Sequence, residues 1–188
     1  MSKKTIILII AVALIILSSV AFFIPRAGET VDVSEEKVCS VIKRVEEIVN
    51  GSSMSPLISP GEKIDALFGY YECHEISRGD IVIYDYAGNK NPIIKSVKAI
   101  PGDNWYLEEI DGMYEIFVNG VSLENSEGKE YRLSESSSRM LKLYVESYPI
   151  IPGNAYLLLG DDVGGSLDST KFGLAGKSDI KAKVELKR

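Results

Sequence analysis

Histidine is nearly absent from this chain: His74 is the only one in 188 residues. Catalysis through imidazole would have to rest on that residue alone, and a histidine-rich metal site is excluded. Cysteine is almost as scarce. Cys39 and Cys73 show no C-x-x-C spacing, so a zinc site or redox motif does not follow from them. An excess of basic charge is missing as well. The net charge is −6, which argues against nucleic acid as a partner. Internal repeats and low-complexity tracts are lacking, and only one long apolar run occurs.

That run is Ile6 to Ile24, preceded by Lys3 and Lys4 and ended by Pro25-Arg26. Nineteen helical residues at about 1.5 Å each span roughly 28 Å, close to the hydrocarbon thickness of a bilayer. The basic flank predicts a cytoplasmic amino terminus and an extracytoplasmic remainder. Small residues at Ser19-Val20-Ala21 suit a leader-peptide cut, but the run is longer than a usual leader core and favours a retained anchor. The expected organisation is a cytoplasmic tip and anchor over 1–26, a polar tether over 27–37 and an extracytoplasmic domain over 38–188.

The domain reads as all-β. Tyrosine, valine and isoleucine are frequent. Between 38 and 49 the apolar spacing suggests helix and the β-branched content strand; strand is expected for the second half. Further strands are expected at Lys63–Phe68, Ile81–Tyr86, Ile93–Ile100, Leu141–Val145, Ala155–Leu159 and Ile180–Leu186. Trp105–Ile110 and Met113–Val118, joined by Asp111-Gly112, carry a hairpin signal. Residues 122–140 are polar and read as a surface excursion. Short strands between regular turns indicate a sandwich or barrel.

Gly51-Ser52-Ser53-Met54-Ser55-Pro56 is poor core material and good turn material. A serine on a tight, partly strained turn can present its hydroxyl, but it needs a base. His74 lies in a polar loop, where a surface role is the simpler reading. Lys95 is the better candidate. Strand alternation places it on one face with Ile93, Val97 and Ala99, and apolar surroundings disfavour an ammonium. The plainer alternative is a lysine reaching to solvent at a sheet edge. Lys98 is the rival, but it falls on the opposite face with Ser96. Asp161 and Asp162, flanked by glycine, read as backbone caps rather than cation ligands. Cys39 and Cys73 lie on the exported side, where a disulfide between them would persist.

In order, these pieces resemble type I signal peptidases, membrane-anchored serine proteases with a Ser-Lys dyad. Ser53-Met54-Ser55-Pro56 is similar to the family's Ser-Met-x-Pro nucleophile box, and Gly79-Asp80-Ile81-Val82 to the next. Lys95 precedes Pro101-Gly102-Asp103 by the family's six residues. Val118-Asn119-Gly120 resembles its hairpin, and Gly160-Asp161-Asp162 through Ser166, Asp168 and Phe172-Gly173 its last box. The resemblance implies a signal-peptidase-like (LexA-like) β-barrel or sandwich behind one transmembrane helix. It implies Ser53 as nucleophile, Lys95 as general base, Ser166 as the hydroxyl that bonds the lysine and Asp168 as a supporting carboxylate. Met54 would line the substrate cleft, with Gly51 and Ser52 beside an oxyanion site that includes the Ser53 N–H.

The implied activity is removal of signal peptides from exported precursors at the membrane surface, with membrane lipid as the other partner and without metal or cofactor. A specialised pilin- or conjugation-type peptidase shares the dyad. A LexA-type self-cleaving repressor would need a DNA-binding domain, and a non-catalytic binding module would keep only the fold. Several positions depart from the family. Gly51 stands where some relatives have a serine donor, Leu57 where threonine is usual, Ser96 where arginine is common and Asp162 where asparagine is usual. Thr170 replaces the arginine that usually pairs with the carboxylate matching Asp168, and Lys171 could substitute only in part.

Overall fold

The computed structural model describes residues 42–86 and 91–187. The apolar run, the tether and Cys39 lie outside them, and so does the choice between a Cys39–Cys73 bridge and two separate thiols. Among the described residues no helix is long and apolar enough to cross a membrane.

Two antiparallel sheets carry the domain. The larger has seven strands: β1 (Lys43–Ile48), β2 (Lys63–Phe68), β3 (Ile81–Tyr84), β4 (Ile93–Ala99), β9 (Ala155–Leu159), β10 (Ala175–Gly176) and β11 (Ile180–Leu186), in the spatial order β1-β2-β11-β3-β4-β9-β10. The smaller is built on the hairpin β5 (Trp105–Ile110) and β6 (Met113–Val118), with β7 (Val121–Ser122) and β8 (Arg132–Leu133) both paired to β6. The expected strands appear at or within two residues of their predicted ends, and the 38–49 conflict resolves to strand in its second half. The Asp111-Gly112 turn has φ of 51° and 72°, the two left-handed residues that a right-twisted hairpin requires.

One element overturns its expectation. Leu141–Val145 is not a strand but the middle of helix α1, Glu135–Ser147. The Leu-Lys-Leu-Tyr-Val alternation imitates a strand. The deciding signals are Ser134, whose Oγ caps the helix by accepting from the Ser137 N–H, and the spacing of Leu141, Tyr144 and Val145, which pack on the small-sheet core. The 122–140 excursion is therefore structured: it holds β7, β8 and the first turns of α1.

The larger sheet buries Met54, Ile58, Ile64, Ala66 and Val184 in one cluster and Val82, Val97, Leu158 and Ala175 in another. A third cluster centres on Trp105, Ile116, Leu141 and Leu157. Strands β4 and β9 run between these clusters, and the site lies at their ends.

Candidate active site

The Ser53 turn is held from its own backbone and from a distant loop. It leaves β1 at Val49, whose N–H bonds the Glu62 carbonyl and whose carbonyl accepts from Gly61. Ser55 N–H closes on the Ser52 carbonyl at 2.8 Å and Ile58 N–H on that of Met54 at 2.7 Å. The Ser55–Pro56 peptide is cis. Met54 and Ile58 are fully buried and act as plugs on either side of that peptide. The strain expected at Ser53 is absent, because no residue of this turn has a left-handed φ. Two contacts from the 160–162 loop fix the turn instead. Asp162 N–H donates to the Ser53 carbonyl at 3.1 Å, and Leu57 N–H donates to Asp161 Oδ2 at 3.1 Å.

Lys95 is the second-largest fully buried side chain, 1% exposed. Its partner across β3 is Val82, itself 0% exposed, so the amine sits against apolar neighbours as strand alternation requires. Nζ lies 2.8 Å from Ser53 Oγ and 2.6 Å from the Ile94 carbonyl oxygen, to which it donates. Burial pushes the Lys95 amine down to about 8, against a smaller upward pull from the Asp168 carboxylate. A neutral amine in this position keeps N–H for Ile94 and turns its lone pair to the Ser53 hydroxyl. That is the arrangement a serine nucleophile needs.

Lys98 points elsewhere. Its Nζ donates to the Glu124 carbonyl at 2.7 Å and lies 5.3 Å from the Tyr131 ring centre. His74 is exposed and stacks on Tyr70. Its Nδ1 lies 2.9 Å from the Tyr70 carbonyl oxygen.

The supporting residues meet as expected in part. Asp168 is buried and caps helix α2 (Ser169–Phe172). Its Oδ1 accepts from Thr170 N–H at 3.0 Å and Thr170 Oγ1 at 2.7 Å, and its Oδ2 from Gly160 N–H at 3.0 Å. Thr170 thus supplies with its own hydroxyl a donor where the arginine is missing, while Lys171 stays exposed. The hydrogen bond expected from Ser166 to Lys95 is not formed: Ser166 Oγ is buried without a partner among the described residues. Asp161 does cap backbone, as read from the sequence, and more tightly than a turn alone would need. Besides Leu57 it accepts from Ser126 N–H at 2.9 Å and from the Ser126 hydroxyl.

Gly160 was read only as part of the last box, with no role of its own. A Cβ there would stand 2.5 Å from the Ser53 carbonyl oxygen and closer still to Ser166 Oγ. Its signal was available only as a glycine beside an aspartate pair. Gly51, by contrast, has open space around its Cα.

A cleft of about 640 Å³ opens beside Ser53, floored by Met54, Ile64, Phe68, Ile83 and Ile94. Its apolar floor suits a ligand with apolar side chains.

The signal peptidase model, peptidase S26, matches residues 38–187. Signal peptidase IB of Staphylococcus aureus (strain COL) is 27% identical over 148 residues, 74% of each chain. Signal peptidase I P of Bacillus subtilis subsp. natto is 30% identical over 141 residues, again 74% of each. A solved signal peptidase I from Enterococcus faecalis V583 superposes with a TM-score of 0.42 at 22% identity, covering 60% of this chain and 98% of that one. With the match running over residues 38–187, most of its length, the chain belongs to the signal peptidase family, peptidase S26, and is a serine peptidase.

Proposed function

We propose that Ser53 is the nucleophile and Lys95 the general base of a signal peptidase I that cuts signal peptides from exported precursors. The observation that carries this reading is the 2.8 Å approach of a fully buried lysine amine to the Ser53 hydroxyl. Neutral Lys95 takes the Ser53 proton as Oγ attacks the scissile carbonyl. The tetrahedral oxyanion is met by the Ser53 N–H, which donates to no backbone carbonyl among the described residues. Lys95 then gives its proton to the leaving amine, and an acyl-enzyme remains. Water, deprotonated by the same amine, releases the acid and restores Ser53. Asp168 and Asp161 act on the backbone, holding Gly160 and the nucleophile turn in place. Ser166 stands ready as a donor or acceptor for the amine.

The substrate lies extended against β1, with Met54 beneath it and small side chains at the first and third positions before the cut. Residues 1–26 form the anchor, 27–37 the tether and 38–188 the catalytic domain, held on the outer face of the membrane. Anchoring enzyme and precursor to one surface raises their effective concentration.

Cleavage of a signal-peptide substrate by the full chain in detergent tests the reading. Ser53→Ala and Lys95→Ala each lower kcat by about 10³-fold or more. The wild-type rate rises with pH along a limb near 8, because only the neutral amine accepts the proton. Full activity in Lys95→Ala, or a limb at the free-lysine value of about 10.4, overturns it.

A further inference from the structure

The cleft beside Ser53 has an apolar floor but a charged mouth, where Glu47, Asp85 and Lys181 stand. Lys181 Nζ is 3.8 Å from Asp85 Oδ2, so these two charges answer one another. The Glu47 carboxylate has no such counterpart: it forms no ion pair or hydrogen bond among the described residues.

Strand alternation explains its position. β1 turns Glu46 to one face, where it bridges Lys63 and Lys187. It turns Glu47 to the other face, in register with the buried Ile64 and two residues before the buried Val49. Glu47 is exposed, like most of β1, so its carboxylate stands in solvent at the cleft. Among the described residues β1 is also terminal in its sheet and pairs only with β2. Its outer edge offers an extended peptide a ladder of backbone groups.

We infer that Glu47 reads a cationic side chain, lysine or arginine, in the signal-peptide part of the substrate and turns away an acidic one. The inference rests on the Ser53–Lys95 reading given above. Glu47 precedes Gly51 by four residues and Ser53 by six. A peptide strand beside β1 advances about 3.3 Å per residue, as β1 does. With the peptide running parallel to β1, its signal-peptide side lies beside Glu47, and the cation stands about four to six residues before the cut bond. The signal-peptide side occupies this cleft because its apolar residues match the apolar floor.

The test uses the full chain in neutral detergent and peptides identical except for lysine, glutamine or glutamate at the fourth, fifth or sixth residue before the cut. At low salt kcat/KM ranks lysine above glutamine above glutamate at one of these positions. The ends of the series differ by about 3- to 10-fold, and the spread narrows in molar salt. Glu47→Gln flattens the ranking and Glu47→Lys inverts it, while Glu108→Gln, on β5 and outside the cleft lining, preserves it. A flat wild-type ranking at all three positions overturns the inference. So does a ranking that survives Glu47→Gln, or one that Glu108→Gln abolishes. If wild type fails to cut even the glutamine peptides, the Ser53–Lys95 reading falls, and the inference with it.

Discussion

The buried Lys95 amine has a cost in stability as well as a use. Its folded value is about 8, and an unfolded lysine titrates at about 10.4. Between these values the unfolded chain holds a proton that the folded chain has released, so stability rises with pH across that window. Below pH 8 both forms are charged and the burial penalty is at its full size. Lys95→Met, which keeps the stem and removes the charge, is therefore expected to raise the urea midpoint at pH 7 while abolishing cleavage. A lower midpoint would mean that the amine stabilises the fold. Gly160→Ala makes the opposite kind of demand. The new methyl meets the Ser53 carbonyl and Ser166, both close to the reacting atoms. A fall in kcat of about 10- to 100-fold is expected, since displacement of about 1 Å at a reacting centre costs this much. The meeting of Ser53 and Lys95 was legible in the sequence because Ser-Met-x-Pro and the lysine spacing are local patterns. Gly160 was not, because its meaning depends on a backbone brought in from more than a hundred residues away.

Elements differ in how openly their residues announce them. The β5–β6 hairpin was readable from Asp111-Gly112, where the turn chemistry is intrinsic to two residues. α1 was not, because its apolar face is interrupted by serines and by Lys142, and packing settles the matter. Tyr144, on that helix, lies so close to Gly173 that a Cβ there would overlap its ring. α2 shows how one element absorbs a departure from the family. The usual arginine is gone, and Thr170 Oγ1 bonds the cap carboxylate from within the same turn. Thr170→Val removes that donor while keeping the shape of the side chain. It is expected to destabilise the domain by about 1–3 kcal/mol, the range for a buried acceptor losing a partner. Denaturant melting checks this, and an unchanged midpoint would mean that the remaining Gly160 and Thr170 N–H donors suffice.

At the scale of the molecule, the loop at 160–162 joins what the sequence keeps far apart. Asp161 ties the nucleophile turn at Leu57 to Ser126 in the segment between β7 and β8. Composition indicated a β domain behind an apolar run, but not which loops would meet, since such contacts come from register and closure. The small-sheet core holds Trp105, the only tryptophan of the chain, wholly enclosed and with its indole N–H donating to the Tyr148 carbonyl at 2.7 Å. This gives the protein its own optical gauge. Native emission is expected to be blue, with a red shift on denaturation that reads the small sheet alone. Far-UV circular dichroism reads all the strands together. Coincident curves would mark one cooperative transition. An earlier shift in emission would reveal that the part carrying the indole lets go while the seven-stranded sheet still stands.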